Sequence, residues 1–225
     1  MRKISKKVLF MGRSEDKYSL TMIKFLKKKF KFLSIYLSKN SKDRPSKKIQ
    51  NWKGDIIICF RSYYILKQNF INKAKICAIN FHPGPPRYRG IGCVNFAIEK
   101  GEAYYGATAH LIDKKVDSGK ILDCKFFKIL KNSSIDQILN KTYKFQLKQL
   151  KNLINKMIKN NFDINSFKTK NKWSSKLYLR KELNLLYKID KNIKKKDLKK
   201  RIAATNTKNF KPYILLHGYK FTLDL

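Results

Sequence analysis

The stretch Asp55-Ile56-Ile57-Ile58-Cys59-Phe60 decides the fold class, because after Asp55 it contains only apolar, mostly β-branched residues. The run is too short for a stable helix and is typical of a strand buried on both faces of a parallel sheet. A second run of this kind, Ile76-Cys77-Ala78-Ile79-Asn80-Phe81, follows further along the chain. Together the two runs predict strands of one α/β sheet.

The flanking segments extend this sheet in both directions. The predicted elements are strands over 7–11, 32–37, 105–113 and 119–128, and helices over 18–30, 64–73, 95–100 and 134–159. Such alternation predicts an α/β fold with an open, mostly parallel, Rossmann-like sheet that is covered on both faces. Ligands of such sheets bind beyond the carboxyl ends of the strands, so the segments after Phe60 and Phe81 are the expected site.

The chain divides into a main domain and a smaller C-terminal part. We expect the main domain over residues 1–160 and a polar, lysine-rich linker over 161–172. A short α+β tail over 173–225 follows. Two apolar runs around His217-Gly218 predict a hairpin at its end.

Lysine dominates the charge of the chain. The formal net charge is +38, from 53 Lys and Arg against 15 Asp and Glu, but only eight of the cations are arginines. Phosphate-binding sites favour arginine, because its planar guanidinium can bind two oxygens at once. Since the lysines are spread along the whole sequence, we interpret the charge as compositional bias, with a nucleic-acid partner as the alternative.

Composition also argues against several classes of protein. The hydrophobic fraction of 43% supports a packed core rather than a disordered chain. There is no apolar run of about 18 residues and no secretory h-region, so we expect neither a membrane span nor a signal peptide. The cysteines lack C-x-x-C spacing and the histidines lack i, i+4 spacing, which favours a cytoplasmic protein with reduced thiols and no metal site.

Two segments carry the candidate chemistry. The first, Asn80-Phe81-His82-Pro83-Gly84-Pro85-Pro86-Arg87-Tyr88-Arg89-Gly90, follows the second strand, and strand alternation places Asn80 and His82 on one side. The second, Val116-Asp117-Ser118-Gly119, places a carboxylate in a tight turn. An imidazole with a carboxylate and an amide donor can serve acyl transfer. Alternatively, Asn80 and Asp117 are turn formers and His82 is a structural hydrogen-bonding residue.

These segments resemble a known family. Asn-x-His-Pro at 80–83, Pro-Arg-Tyr-Arg-Gly at 86–90, Tyr-Gly-Ala-Thr-Ala-His at 105–110 and Val-Asp-Ser-Gly at 116–119 are similar to the N10-formyltetrahydrofolate-dependent formyltransferases in order and spacing. The similarity covers roughly residues 7–130. It implies the Rossmann-like formyltransferase fold, N10-formyltetrahydrofolate as co-substrate, and catalytic roles for Asn80, His82 and Asp117.

The resemblance also implies where the folate binds. In this family two loops hold it, and the matching positions are Arg61, Ser62, Tyr63, Tyr64, Ile65, Ile112, Asp113 and Val116. The first loop departs from the family pattern, since Arg61-Ser62-Tyr63-Tyr64 stands where a small glycine is frequent.

The acceptor is less defined by the sequence. Arg87, Tyr88 and Arg89 lie beside the motif and are expected to bind a phosphate of the acceptor. The tail is shorter than the tRNA-binding barrel of methionyl-tRNA formyltransferases and is similar to that of sugar N-formyltransferases, so we expect it to pack the domain or to pair a homodimer. A nucleotide-linked amino sugar is therefore the expected acceptor; the alternatives are methionyl-tRNA and a non-catalytic RNA-binding protein on the same fold.

Overall fold

The computed structural model describes residues 2–207 and 210–223. Its first part alternates strands and helices, as the sequence predicts. In chain order these are β1 (Ile4–Arg13), α1 (Lys17–Lys29), β2 (Phe30–Ser38), α2 (Lys47–Gln50), β3 (Gly54–Phe60), α3 (Gln68–Ile71), β4 (Ala74–His82), β5 (Arg89–Gly90), α4 (Cys93–Glu99), β6 (Tyr104–Leu111), β7 (Ile121–Lys128) and α5 (Ile135–Lys159).

Six of these strands form one mixed sheet in the order β2-β1-β3-β4-β6-β7. The pairs within β2-β1-β3-β4 are parallel, and β6 and β7 are added antiparallel at one edge. The predicted α/β class with a mostly parallel Rossmann-like sheet is thus confirmed. Because β6 runs against β4, residues at the carboxyl end of β4 pair with residues near the end of β6.

Strand β3 is buried on both faces, which explains its continuous apolar sequence. Ile56 and Ile58 pack among residues of α1 and α5, and Ile57 packs on the opposite face against Phe70 of α3. The predicted helix over 64–73 is shorter than expected and is confined to Gln68–Ile71. The backbone N–H of Tyr64 instead donates to Ser62 Oγ, so this part of the segment remains a loop.

Helix α5 is attached to the sheet by polar as well as apolar contacts. It begins with a capping box between Ser134 and Gln137. Two buried glutamines on its inner face donate to strand carbonyls: Gln146 Nε2 to Phe81 O at 2.9 Å, and Gln149 Nε2 to Asp123 O at 3.1 Å. Gln146 thereby supports the carboxyl end of β4, where Asn80 and His82 lie.

The C-terminal part returns to the main body and packs on it. Its elements are a 3₁₀ turn (Ile164–Ser166), β8 (Leu177–Tyr178), α6 (Arg180–Tyr187), α7 (Lys195–Thr205), β9 (Tyr213–Leu216) and β10 (Tyr219–Thr222). Strands β9 and β10 form the predicted hairpin, whereas helices α6 and α7 were not predicted.

Several contacts fix this C-terminal part. Strand β8 pairs in parallel with β5, and Asn95 Nδ2 of α4 donates to Ala204 O of α7 at 2.7 Å. Phe167, inside the predicted linker, is buried in the main core. Residues 208, 209, 224 and 225 of the predicted tail lie outside the described residues, and the division at 160 and 172 stays a prediction. No helix within the described part of the chain is long and apolar enough to cross a membrane.

We predict that Gln146→Leu lowers the free energy of unfolding by about 1–3 kcal/mol, because the buried carbonyl of Phe81 loses its hydrogen-bond donor. Urea denaturation followed by circular dichroism measures the change. The exposed Gln68 of α3 provides the matched control, since Gln68→Leu changes the same groups at the surface. Equal effects of the two substitutions would show that the Gln146–Phe81 bond contributes nothing.

Candidate active site

The site lies where β4 and β6 pair. Asn80 and His82 are among the last three residues of β4. The antiparallel register places His110 of β6 directly opposite Asn80. The Nδ2 of Asn80 lies 3.1 Å from Nε2 of His110. Sequence reasoning found Asn80 and His82 by strand alternation but did not assign a role to His110.

Asp117 reaches this strand pair from the loop between β6 and β7. Its Oδ2 lies 3.2 Å from Nδ1 of His82, and its Oδ1 lies 3.3 Å from Nε2 of His110. The backbone N–H of Gly90 also donates to Oδ2, at 2.9 Å. The three residues that the sequence singles out for catalysis, Asn80, His82 and Asp117, are therefore brought together, and His110 joins them.

His82 is held as a cation. Its side chain is 3% exposed, its Nε2 donates to Tyr88 O at 2.7 Å, and its Nδ1 faces the Asp117 carboxylate. Both ring nitrogens thus meet acceptors, an arrangement that only the doubly protonated imidazole satisfies. Burial by itself lowers the pKa of His82, but the neighbouring Asp117 and, after it, Cys93 outweigh burial and raise the pKa well above its usual value.

Asp117 is held as an anion by the same contacts. Burial favours the neutral acid, yet the two imidazoles lower the pKa of the Asp117 carboxyl far below its usual value. Its backbone has a positive φ of 45°, a left-handed conformation that Asp tolerates better than most residues. The left-handed turn at Asp117 thus places the ionised carboxylate beside two imidazoles.

His110 presents a lone pair within the site. Its Nδ1 lies 2.7 Å from Leu111 O, which accepts a hydrogen bond from the ring. In the neutral tautomer that this contact selects, Nε2 is unprotonated and accepts from Asn80 Nδ2. On protonation, the same nitrogen would donate to Asp117 Oδ1. Sequence analysis could have found His110 from its register opposite Asn80, had the antiparallel pairing been assigned.

Arg89 holds the Asp117 turn in place. It donates from Nε to Asp117 O at 2.7 Å, from Nη2 to Val116 O at 3.0 Å and from Nη1 to Ser174 O at 2.9 Å. Each of the three guanidinium nitrogens thus donates to a backbone carbonyl. The sequence-based expectation that Arg89 binds an acceptor phosphate is therefore at odds with its contacts.

Trp173, the first residue of the predicted tail, packs against both imidazoles. Its ring lies edge-on, 5.7 Å from the ring of His82 and 5.0 Å from that of His110, measured between centroids. Its Nε1 donates to Gly119 O at 2.7 Å, next to the Asp117 turn. The tryptophan thus fixes both rings and the turn together, a role that its sequence context did not indicate.

A first cleft, which we name the pterin cleft, opens beside these residues. Its volume is about 440 Å³, and Asn80, His82, His110 and Asp117 form part of its wall. Seven of the eight residues expected to hold folate also line it: Arg61, Ser62, Tyr64, Ile65, Ile112, Asp113 and Val116. The eighth, Tyr63, lies outside it.

A second and larger cleft, which we name the tail cleft, adjoins the first. Its volume is about 980 Å³, and its wall includes Tyr63, the start of α4, and residues of α6, β9 and β10. The two clefts share six wall residues: Arg13, Arg61, Pro83, Gly90, Ile91 and Tyr143. They therefore adjoin each other next to His82. Among the described residues, no group of three or more His, Cys, Asp or Glu could hold a metal ion.

Comparison with known proteins establishes the relationship that the motifs suggest. The model of a family described as formyl transferase matches residues 5–154. This chain belongs to the formyl transferase family. A methionyl-tRNA formyltransferase from Clostridium tetani is 27% identical over 166 residues, covering 73% of this chain and 51% of that protein. The chain thus spans about half the length of that relative.

Solved structures share the fold of this formyl transferase family member over almost its whole length. A sugar N-formyltransferase from a Shewanella species superposes with a TM-score of 0.73 at 18% identity, covering 97% of this chain and 96% of that one. The N-formyltransferase of Helicobacter canadensis, in complex with folinic acid and dTDP-3-aminofucose, gives a TM-score of 0.72 at 20% identity, covering 94% and 84%. The predicted formyltransferase fold is confirmed.

The residues expected to bind the acceptor do not line either cleft of this family member. Tyr88 is buried and donates from its hydroxyl to Glu102 at 2.8 Å. Arg87 is exposed and pairs with the same carboxylate at 3.0 Å. Together with Arg89, these side chains make internal contacts, and other groups line the two clefts.

We predict that the Asp117→Asn substitution lowers the pKa of His82, because the carboxylate that stabilises the imidazolium is removed. NMR titration of the imidazole Cε1 protons measures this shift, with the exposed His217 as internal reference. An unchanged His82 titration would contradict the ion pair.

The same pair makes stability depend on pH. The raised pKa of His82 stabilises the fold fully below about 6.5, its unfolded value, and this contribution is lost as pH rises through the higher folded pKa. The lowered pKa of Asp117 stabilises the fold above about 3.9, and this is lost as pH falls further. Thermal unfolding across this range should show both slopes in the wild type, and both contributions of the ion pair should be lost in Asp117→Asn.

Proposed function

We propose that this protein transfers the formyl group of N10-formyltetrahydrofolate to a primary amine, and that the amine belongs to an amino sugar carried on a nucleotide. The observation that carries the proposal is that two clefts adjoin each other beside Asn80, His82, His110 and Asp117. Such an arrangement suits a reaction between two bound molecules, because their reacting groups can meet where the clefts adjoin.

The pterin cleft suits the folate. Ile65, Ile112 and Val116 give it apolar surface for a flat ring system, and the polar groups of the site lie at one end. Its volume of about 440 Å³ is within the range of small-molecule sites, about 300–1,000 Å³. Folinic acid in the Helicobacter canadensis structure supports a folate site in this fold.

The proposed reaction begins with attack of the unprotonated amine on the formyl carbon. The bond from this carbon to N10 then breaks, and tetrahydrofolate leaves as N10 takes up the proton that the amine has lost. In the tetrahedral intermediate between these two steps, the formyl oxygen carries a negative charge. Asn80 can donate from Nδ2 to that oxygen, while the imidazolium of His82 stabilises it through its charge, since both of its N–H groups meet internal acceptors.

The proton that the amine loses needs an acceptor. Asp117 is one candidate, but its lowered pKa makes that carboxylate a weak base. His110 Nε2 carries a lone pair in the tautomer that Leu111 O selects, and it lies 3.3 Å from Asp117 Oδ1. We assign proton acceptance to His110, with Asp117 stabilising the imidazolium that forms.

The choice of a nucleotide-linked amino sugar as acceptor is supported by the comparisons and by the size of the tail cleft. Solved structures that match almost the whole chain include sugar N-formyltransferases, one of them with a nucleotide-linked amino sugar bound. The tail cleft, at about 980 Å³, offers room for such a molecule. Methionyl-tRNA is the second candidate, because sequence relatives include methionyl-tRNA formyltransferases and the chain carries a charge of +38.

We predict that tetrahydrofolate release from N10-formyltetrahydrofolate depends on a nucleotide-linked amino sugar. A spectrophotometric release assay with nucleotide-linked amino sugars, methionyl-tRNA and glycinamide ribonucleotide compares the candidates. Release with methionyl-tRNA alone would select the second candidate, and no release with any amine would refute formyl transfer.

In that assay, Asn80→Ala should lower kcat by about 10²–10³, the usual cost of one oxyanion donor, without loss of fold. The exposed Asn69 of α3 provides the control, and Asn69→Ala should leave kcat unchanged. A kcat within a few-fold of wild type would remove Asn80 from the mechanism.

We predict that His110→Asn lowers kcat by about 10²–10⁴, the contribution typical of a general base, with little change in the KM for folate. The amide keeps a polar group at the same strand position. Steady-state kinetics at saturating folate measure the change. If kcat falls no more in His110→Asn than in Asn69→Ala, proton transfer does not pass through His110.

A further inference from the structure

Two arginines of the tail cleft have no partner of their own. The other six arginines of the chain differ from these two. Five of them bond carboxylates or carbonyls, namely Arg44, Arg61, Arg87, Arg89 and Arg201, and the sixth, Arg2, is exposed near the N-terminus. Within the described residues, no hydrogen bond or ion pair joins the guanidinium of Arg13 or Arg180 to another group. Both side chains line the tail cleft.

Arg13 is the more informative of the two because it is half-buried. It follows the apolar core of β1 and stacks on the ring of Tyr63, 3.9 Å from its guanidinium carbon to the ring centroid. Its Nε is buried without a hydrogen-bond partner. Burial, and then the neighbouring charge of Arg61, lower its pKa. A desolvated, unpaired cation is costly, and an anionic ligand would compensate for it.

The opposite wall of the tail cleft comes from the C-terminal part. Arg180, at the start of α6, and Lys220, on β10, add two cations to it, whereas Asp136 is the carboxylate among the described wall residues. Tyr187 and Phe210 also line this wall, with ring centroids 6.0 Å apart. Cations beside exposed aromatic rings are the groups that recognise a phosphate and a base of one nucleotide.

We propose that the tail cleft binds the nucleoside diphosphate part of the acceptor, with Arg13 and Arg180 on the phosphates and the rings of Tyr187 and Phe210 beside the base. This inference rests on the proposed function and names the residues of its acceptor site. It also gives the C-terminal part a role in substrate binding, where the sequence led us to expect only packing or subunit pairing.

Isothermal titration calorimetry with uridine diphosphate, thymidine diphosphate and inorganic pyrophosphate tests the site without any catalysis. The wild type should bind at least one of the two nucleoside diphosphates, and pyrophosphate should compete. Arg13→Gln and Arg180→Gln should each weaken this binding at least about tenfold, as expected for loss of a charge-assisted hydrogen bond. Arg2→Gln is the matched control, since it removes the same charge outside both clefts.

Folinic acid provides the second arm, because the carboxylates of the folate tail are another source of anions. Arg180→Gln should leave the Kd of folinic acid unchanged. The inference is overturned if neither diphosphate binds the wild type, if Arg2→Gln weakens binding as much as the cleft variants, or if Arg13→Gln and Arg180→Gln weaken folinic acid more than the diphosphate.

This test separates the inference from the proposed function. If the diphosphate binds and the arginine variants lose it, while no nucleotide-linked amino sugar releases tetrahydrofolate, the binding site stands and the proposed acceptor reaction fails. If amino sugars release tetrahydrofolate and the arginine variants keep a normal acceptor KM, the reaction stands and the assigned phosphate site fails.

Discussion

The rest of the site depends on the interactions of the buried Asp117 carboxylate. A carboxylate that is 8% exposed is costly to ionise, unless charges and hydrogen bonds surround it. Here the His82 cation and the backbone N–H of Gly90 do so. The buried carboxylate and the groups that stabilise it belong to different segments of the chain. The site therefore forms only when β4, β6, the Asp117 turn and β5 are all in place.

This constraint explains why the C-terminal part folds back over the site. Arg89 bonds the Asp117 turn and Ser174 together, Trp173 packs on both imidazoles, and β8 pairs with the strand that begins at Arg89. Gly90 has a positive φ of 90°, and a Cβ there would lie 2.3 Å from Tyr178 O. The close approach of β8 therefore needs a glycine next to the amide that holds Asp117.

Local patterns predicted the parts of the molecule that depend on neighbours in sequence. The apolar run before Phe60 fixed β3 because burial on both faces leaves no room for polar residues, and strand alternation paired Asn80 with His82. His110 was missed because its position opposite Asn80 depends on an antiparallel register that sequence periodicity does not specify. The contacts of Arg89 were not predicted for a related reason: the sequence places a guanidinium near the motif but does not show that it donates to the carbonyls of Val116, Asp117 and Ser174.

The distribution of arginine is more informative than the net charge. A charge of +38 attracts any polyanion, and that attraction is screened over about 10 Å at 0.1 M salt, so it cannot distinguish one phosphate compound from another. Discrimination needs directed donors at fixed positions. In this chain most arginines are used internally, and the half-buried guanidinium of Arg13 at the junction of the two clefts is not. A few desolvated donors, rather than the lysine-rich surface, are therefore the groups that can distinguish one phosphate compound from another.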